Sequence, residues 1–183
     1  MAINAGVSLQ SNDFELFDVP ALFKQDRAAL DARWKDLQHE AHPDKFAAQG
    51  TAAQRIAMQW SVRINEAYQR LKDPLKRAAY LCEMNGAAVD AENNTAMPSQ
   101  FLMQQMEWRE ALDDAKSSDD LDKIGLQVTV VKRETLQKFE QLLDAQRDYE
   151  GAVQQVRALM FIERVVNDIE ARLDRMDTVE RGQ

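Results

Sequence analysis

The 183-residue chain has one cysteine, Cys82. That excludes an intramolecular disulfide and any metal centre built from clustered thiolates, and a reducing compartment suits it. Glycine and proline are scarce too, at six and four residues. With them go the frequent turns of an all-β chain, while the abundant Ala, Leu, Gln, Glu, Asp and Arg lose little rotamer freedom on a helix. No apolar run is long enough to span a bilayer, and Met1-Ala2-Ile3-Asn4-Ala5-Gly6 has neither the basic flank of a signal peptide nor the Arg-rich pattern of a transit peptide. The expectation is a cytoplasmic protein without a membrane partner. A basic excess is also lacking: the net charge is −8, and residues 1–86 hold 11 Lys/Arg against 11 Asp/Glu, residues 87–183 hold 12 against 20. A phosphate backbone would be repelled, so nucleic acid is not an expected partner. Neither a glycine-rich phosphate loop nor a convincing nucleophile is present, so a hydrolytic enzyme has no support.

What is present is helical periodicity in two blocks. Ser11-Asn12-Asp13 supplies cap chemistry before Phe14-Glu15-Leu16-Phe17, and that short turn ends at Pro20. From about Asp26, Leu30, Trp34 and Leu37 recur at helical spacing until Pro43 restricts the chain. After Gly50-Thr51, with Thr51 the expected N-cap, Ile56, Trp60, Ile64, Ala67, Tyr68 and Leu71 form one stripe to about Lys72. Asp73-Pro74 then caps and opens a short helix that stops near Gly86. These four helices make one domain, 11–86. Residues 87–97 lack a period and precede Pro98, as a linker would. Three helices follow, at roughly 98–114, 118–146 and 149–176, with Ser118 the expected cap of the second. The β-branched Val128, Val130 and Val131 raise a strand as the competing reading, which the flanking periodic segments outweigh. Short connections imply an antiparallel three-helix bundle over 98–183 and an all-α chain.

Two features carry chemistry. In His42-Pro43-Asp44-Lys45-Phe46, Pro43 ends a helix and fixes one backbone angle, which holds His42 and Asp44 in a limited set of orientations. Read alone, the tripeptide could equally be solvated loop. A metal site at His39, His42 and Asp44 lacks a third firm ligand. The second feature is the helix after Pro98. At about 100° per residue, Phe101, Trp108, Ala111 and Leu112 cluster on one face, and Leu102, Met103, Met106, Glu107, Arg109 and Glu110 on the other. A three-helix bundle readily buries only one. The residues themselves leave the second face open between extra core with a charged rim and a partner surface of adaptable thioethers.

With Trp34 and Leu37 before the loop and Ile64-Asn65-Glu66-Ala67-Tyr68 after it, the first block resembles the J-domain family. That resemblance implies a helical hairpin with short flanking helices, whose loop engages a DnaK-type chaperone and triggers its ATP hydrolysis. It assigns chaperone binding to His42, Pro43, Asp44 and Lys45, with Arg33 and Lys35 on the preceding helix. Two departures stand out. Ala41 occupies a place usually aromatic, and the usual basic stripe is reduced to Arg33, Lys35 and His39, interrupted by Asp36 and Glu40. They favour one cognate partner over general chaperones.

The run Phe101-Leu102-Met103-x-Gln105-x-Glu107-x-Arg109-Glu110, in a C-terminal helical domain, extends the resemblance over almost the whole chain, to the HscB family of iron–sulfur co-chaperones. It implies an L-shaped, non-enzymatic monomer without a cofactor of its own. Its partners would be an HscA-type chaperone of the DnaK family and an IscU-type scaffold. The scaffold surface would be Leu102, Met103, Met106, Glu107, Arg109 and Glu110, joined by Phe161 of the last helix; Met106 stands where relatives carry leucine. No glycine/phenylalanine-rich linker or four-cysteine zinc module is present. The rival function is a helical adaptor whose His-Pro-Asp loop does nothing.

Overall fold

The computed structural model describes residues 6–90 and 97–181, in which every regular element is helical and no strand occurs. The chain divides into two compact units, Met1–Leu81 and Cys82–Gln183. Residues 91–96 of the expected linker lie outside the described residues. Ala87 and Val89 are buried, and Arg157 Nε donates to the Val89 carbonyl at 3.1 Å, so the chain after residue 86 is held within the second unit.

In the first unit, α1 (Asp13–Phe17) and α2 (Arg27–Glu40) precede a 3-10 helix (Pro43–Gln49), α3 (Thr51–Lys72) and the start of α4 (Pro74–Met84), whose residues from Cys82 on belong to the second unit. Asn12 caps α1 in a reciprocal box, accepting from Glu15 N at 2.9 Å while Glu15 Oε2 accepts from Asn12 N at 3.1 Å. Asp73 Oδ1 accepts from Lys76 N at 3.1 Å, with Pro74 as the first helical residue. α4 ends in a Schellman arrangement: Gly86 has φ +83°, Gly86 N donates to Glu83 O and Ala87 N to Cys82 O. Two sequence expectations are corrected in α3. Its N-cap is Gly50 (φ +92°), with Thr51 already helical. Ile56 is half exposed at 50% while Ala57 is fully buried, because steps of four residues drift by about 40° each and carry Ile56 away from the line of Ile64.

Phe14, Leu16, Phe17, Leu30, Leu37, Ile64 and Leu71 form this unit's core. Inside it sits a fully buried carboxylate. Asp13, wholly buried, lies 2.7 Å from Arg63 Nη2 and 2.8 Å from Arg70 Nε; the donors approach at poor hydrogen-bonding angles, so the attraction is chiefly coulombic. The same Arg63 donates to Ser11 O at 2.7 Å, and Arg70 lies 4.7 Å from the Tyr80 ring centre. Helix α1 is thereby fixed to α3 through a carboxylate shared by two arginines.

The second unit contains α5 (Ser99–Asp114), α6 (Ser118–Phe139) and α7 (Tyr149–Arg181). The valine-rich stretch is helical, with Val128 in the core and Val130 exposed. The cap of α6 is Ser117, one residue before the expected Ser118: its Oγ accepts from Asp120 N and the Asp120 carboxylate accepts from Ser117 N. The expected helix to 146 changes character at its end, where Glu140–Gln146 is a π-helix closed by Arg147 at φ +54°. Asp148 then caps α7, accepting from Gly151 N at 2.9 Å, and a Cβ on Gly151 would stand 2.3 Å from Asp148 Oδ2. Arg172 of α7 donates to the Leu112 carbonyl at the end of α5.

Cys82 is fully buried, and burial, with the charges of Glu83 and Glu150 adding to it, pushes its thiol up to about 12. A thiol reagent at pH 8 is expected to label the folded chain only as fast as it unfolds; rapid stoichiometric labelling would contradict this. Asp13→Ala should destabilise the N-terminal unit by about 3 kcal/mol, since breaking a buried pair strands its partners. Chemical denaturation would measure it, and a loss below about 1 kcal/mol would refute the role given to Asp13.

Candidate functional site

Helix α2 ends at Glu40, and Ala41 is fully buried before the chain emerges at His42. His42 is extended (φ −64°, ψ 125°) and caps the 3-10 helix: its Nδ1 accepts from Asp44 N at 3.3 Å and its carbonyl from Lys45 N at 3.1 Å. Accepting at Nδ1 leaves the proton of a neutral imidazole on Nε2. The Asp44 side chain is 90% exposed, 3.6 Å from His42 Nδ1. Pro43 is half-buried at the first helical position and Lys45 is exposed. The loop therefore turns a carboxylate, an imidazole and an ammonium outward from a short, locally bonded turn. Lys35 on α2 is exposed as well. Arg33, two residues earlier, points about 200° away round the helix and is half-buried, so the two do not form one stripe.

Side chains between α2 and α3 hold this loop's base. Trp34 stacks on Tyr68 with ring centres 4.8 Å apart, and its Nε1 donates to Asn65 Oδ1 at 2.9 Å. Gln38 Nε2 donates to the same oxygen at 2.8 Å and to Ser61 O at 3.1 Å. Ser61 Oγ in turn donates to Ala41 O at 3.1 Å. Sequence reasoning quoted Asn65 as part of a pattern but passed over Gln38 and Ser61. The signal was available: Ser61 is the polar member of the stripe Ala57, Ser61, Ile64 and Tyr68.

On the same hairpin, Asp31 Oδ1 accepts from Tyr68 Oη at 2.7 Å and pairs with Arg27 Nε at 2.7 Å. The Tyr68 hydrogen bond, then Arg27, holds the Asp31 carboxyl below its usual range; in return the bond to Asp31, with burial, holds the Tyr68 phenol above its own. A carboxyl depressed by folding stabilises above its unfolded pKa of about 4 and loses that contribution as pH falls further.

In the second unit, α5 separates its faces as its periodicity requires. Phe101, Trp108 and Leu112 are buried and Ala111 is half-buried, whereas Leu102, Met103 and Met106 are exposed at 50%, 68% and 64%. Glu107, Arg109 and Glu110 are exposed beside them. Phe161 of α7 is half-buried at the margin, its ring 5.8 Å from Phe101 in an edge contact and 5.9 Å from the Arg109 guanidinium. The predicted residues thus form a continuous surface of bare aliphatic side chains bordered by both signs of charge. Single exposed apolar residues need no explanation, but three on adjacent turns do.

Among the described residues no group of three His, Cys, Asp or Glu is placed to hold a metal ion, and no helix is long and apolar enough to cross a membrane. An exposed His-Pro-Asp turn on a braced helical hairpin is thus followed in the chain by a helical unit with a bare apolar face. Residues 97–170 match the family model described as the HSCB C-terminal oligomerisation domain. The chain is 50% identical over 175 residues to the co-chaperone protein HscB homolog of Burkholderia multivorans, covering 94% of this chain and 99% of that protein. It is 51% identical over 174 residues to the homolog of Burkholderia pseudomallei, covering 93% and 99%. Among solved structures it resembles the chaperone HscB from Vibrio cholerae (TM-score 0.77, 35% identity, 91% of this chain and 99% of that chain). It also resembles the human co-chaperone protein HscB (TM-score 0.82, 26% identity, 89% and 82%). The chain belongs to the HscB family of co-chaperones of iron–sulfur cluster assembly.

Alkaline titration followed by tyrosine absorbance should show one phenol ionising above about pH 10, and Asp31→Ala should bring it back. An unchanged curve in the variant would rule out the Asp31–Tyr68 coupling.

Proposed function

We propose that this chain binds an IscU-type iron–sulfur scaffold through α5 and presents it to an HscA-type chaperone of the DnaK family, whose ATPase it stimulates through the His42-Pro43-Asp44 loop. In this reading residues 11–86 are the chaperone-facing J domain and 98–183 the scaffold-binding domain, with 87–97 between them. The protein works as a cytoplasmic monomer with no cofactor and no chemistry of its own. Family membership supports the pathway. The observation that carries the scaffold site is the bare face of Leu102, Met103 and Met106 opposite a fully formed core stripe. Burying each of these side chains in a partner would contribute about 1.5–3 kcal/mol, a gain the monomer leaves unused. Glu107, Arg109 and Glu110 set orientation at the rim, and Phe161 supplies an aromatic anchor.

At the loop, Asp44 and Lys45 supply charge and His42 a directed N–H. Asp44 would meet a cation on the chaperone, and Lys35, exposed on the helix before, would contact it, whereas Arg33 points to the other side of that helix. Holding the scaffold on one domain and the chaperone on the other raises the local concentration of client at the chaperone's peptide site.

Asp44→Ala is expected to abolish stimulation of the chaperone ATPase while scaffold affinity stays the same; full stimulation by the variant would leave the loop without a role and favour a simple helical adaptor. Leu102→Ala combined with Phe161→Ala should weaken scaffold binding at least about tenfold in calorimetry, with the thermal melt checked for packing loss at Phe161. Unchanged affinity would remove the scaffold from this face.

A further inference from the structure

The loop's own hydrogen bonds, Asp44 N to His42 Nδ1 and Lys45 N to His42 O, are all local. They shape the turn but cannot aim it. Its direction relative to the hairpin is set where the chain leaves α2, at the peptide joining Ala41 to His42. The carbonyl at that point is one of those a helix end leaves without an intrahelical donor, and Ala41 is wholly buried. The Ser61 hydroxyl of α3 donates to it at 3.1 Å. Ser61 is itself bound from the other side, since its carbonyl accepts from Gln38 Nε2, whose second bond goes to Asn65.

We infer that Ser61 is a positioning residue for the His42-Pro43-Asp44 loop: by holding the Ala41 carbonyl it fixes the plane of the Ala41–His42 peptide, and so the direction in which the loop meets its chaperone. Gln38 and Asn65 hold Ser61's stretch of α3 against the end of α2. The inference rests on the chaperone-binding reading of the loop. Without the tether, the peptide rotates among several orientations of which one docks. A binding-competent state that is only partly populated weakens apparent affinity by its fraction, without changing what happens at saturation.

The test uses the full chain with Ser61→Ala, Ser61→Thr, which keeps the hydroxyl, and Asp44→Ala as control. Chaperone ATPase is titrated with each, and backbone amide ¹⁵N relaxation of His42, Asp44 and Lys45 is measured in the chain alone. For Ser61→Ala, the half-maximal concentration should rise about threefold to tenfold with maximal stimulation unchanged, and Ser61→Thr should restore it. The amide order parameters of His42, Asp44 and Lys45 should fall from about 0.85 towards 0.6 in the alanine variant and recover in the threonine variant. Order parameters unchanged by the loss of the hydroxyl would overturn the inference whatever the chaperone does. So would lowered order parameters with an unshifted half-maximal concentration, provided Asp44→Ala abolishes stimulation. If Asp44→Ala leaves stimulation intact, the chaperone-binding reading fails first and the inference with it, while the relaxation data still decide whether Ser61 orders the loop.

Discussion

The Asn65 side-chain oxygen is the point on which the N-terminal hairpin closes. It accepts from Trp34 and from Gln38, so two side chains from successive turns of α2 converge on one acceptor of α3. Each bond is worth only about 1 kcal/mol net on this exposed flank of the hairpin, but both specify the same register. Register between the helices is therefore set by pairing as well as by apolar contact. Trp34 lies flat on Tyr68, Gln38 reaches the Ser61 carbonyl, and the chain leaves α2 at a defined place. Everything beyond that place, from His42 to Lys45, is a short turn whose usefulness depends on the brace behind it.

The second unit obeys a different constraint. A helix in a three-helix bundle has one neighbour-facing side, and α5 carries apolar residues on two. Phe101, Trp108 and Leu112 occupy the interior with the larger, stiffer side chains, and Leu102, Met103 and Met106 are left outside. In the proposed function a partner covers this bare apolar surface, and thioethers suit a surface that must be both soluble and adaptable. Glu107, Arg109 and Glu110 border this patch with charge, which opposes indiscriminate association.

The helices and the two-faced character of α5 were legible because periodicity near 100° per residue separates Trp108 from Met106 without ambiguity. His42-Pro43-Asp44 was legible because proline and its neighbours restrict the backbone locally. What escaped was set over longer distances. Ile56 looked like core because four-residue spacing imitates a stripe, yet Ala57 holds the true line. Caps slipped by one residue at Thr51 and Ser118 because neighbouring serines, threonines and glycines offer the same chemistry. The ion cluster of Asp13 with Arg63 and Arg70 joins residues 50 or more apart, which no local pattern announces. The π-helical end of α6 likewise has no sequence signature in Glu140–Gln146.

In the proposed function the chain bridges two partners that occupy different units. The most direct test is capture of both at once: the full chain immobilised, with an IscU-type scaffold and an HscA-type chaperone supplied together in the presence of ATP. The account predicts that each is retained and that saturating scaffold does not displace the chaperone. Mutually exclusive retention, or failure to retain the scaffold at all, would contradict it.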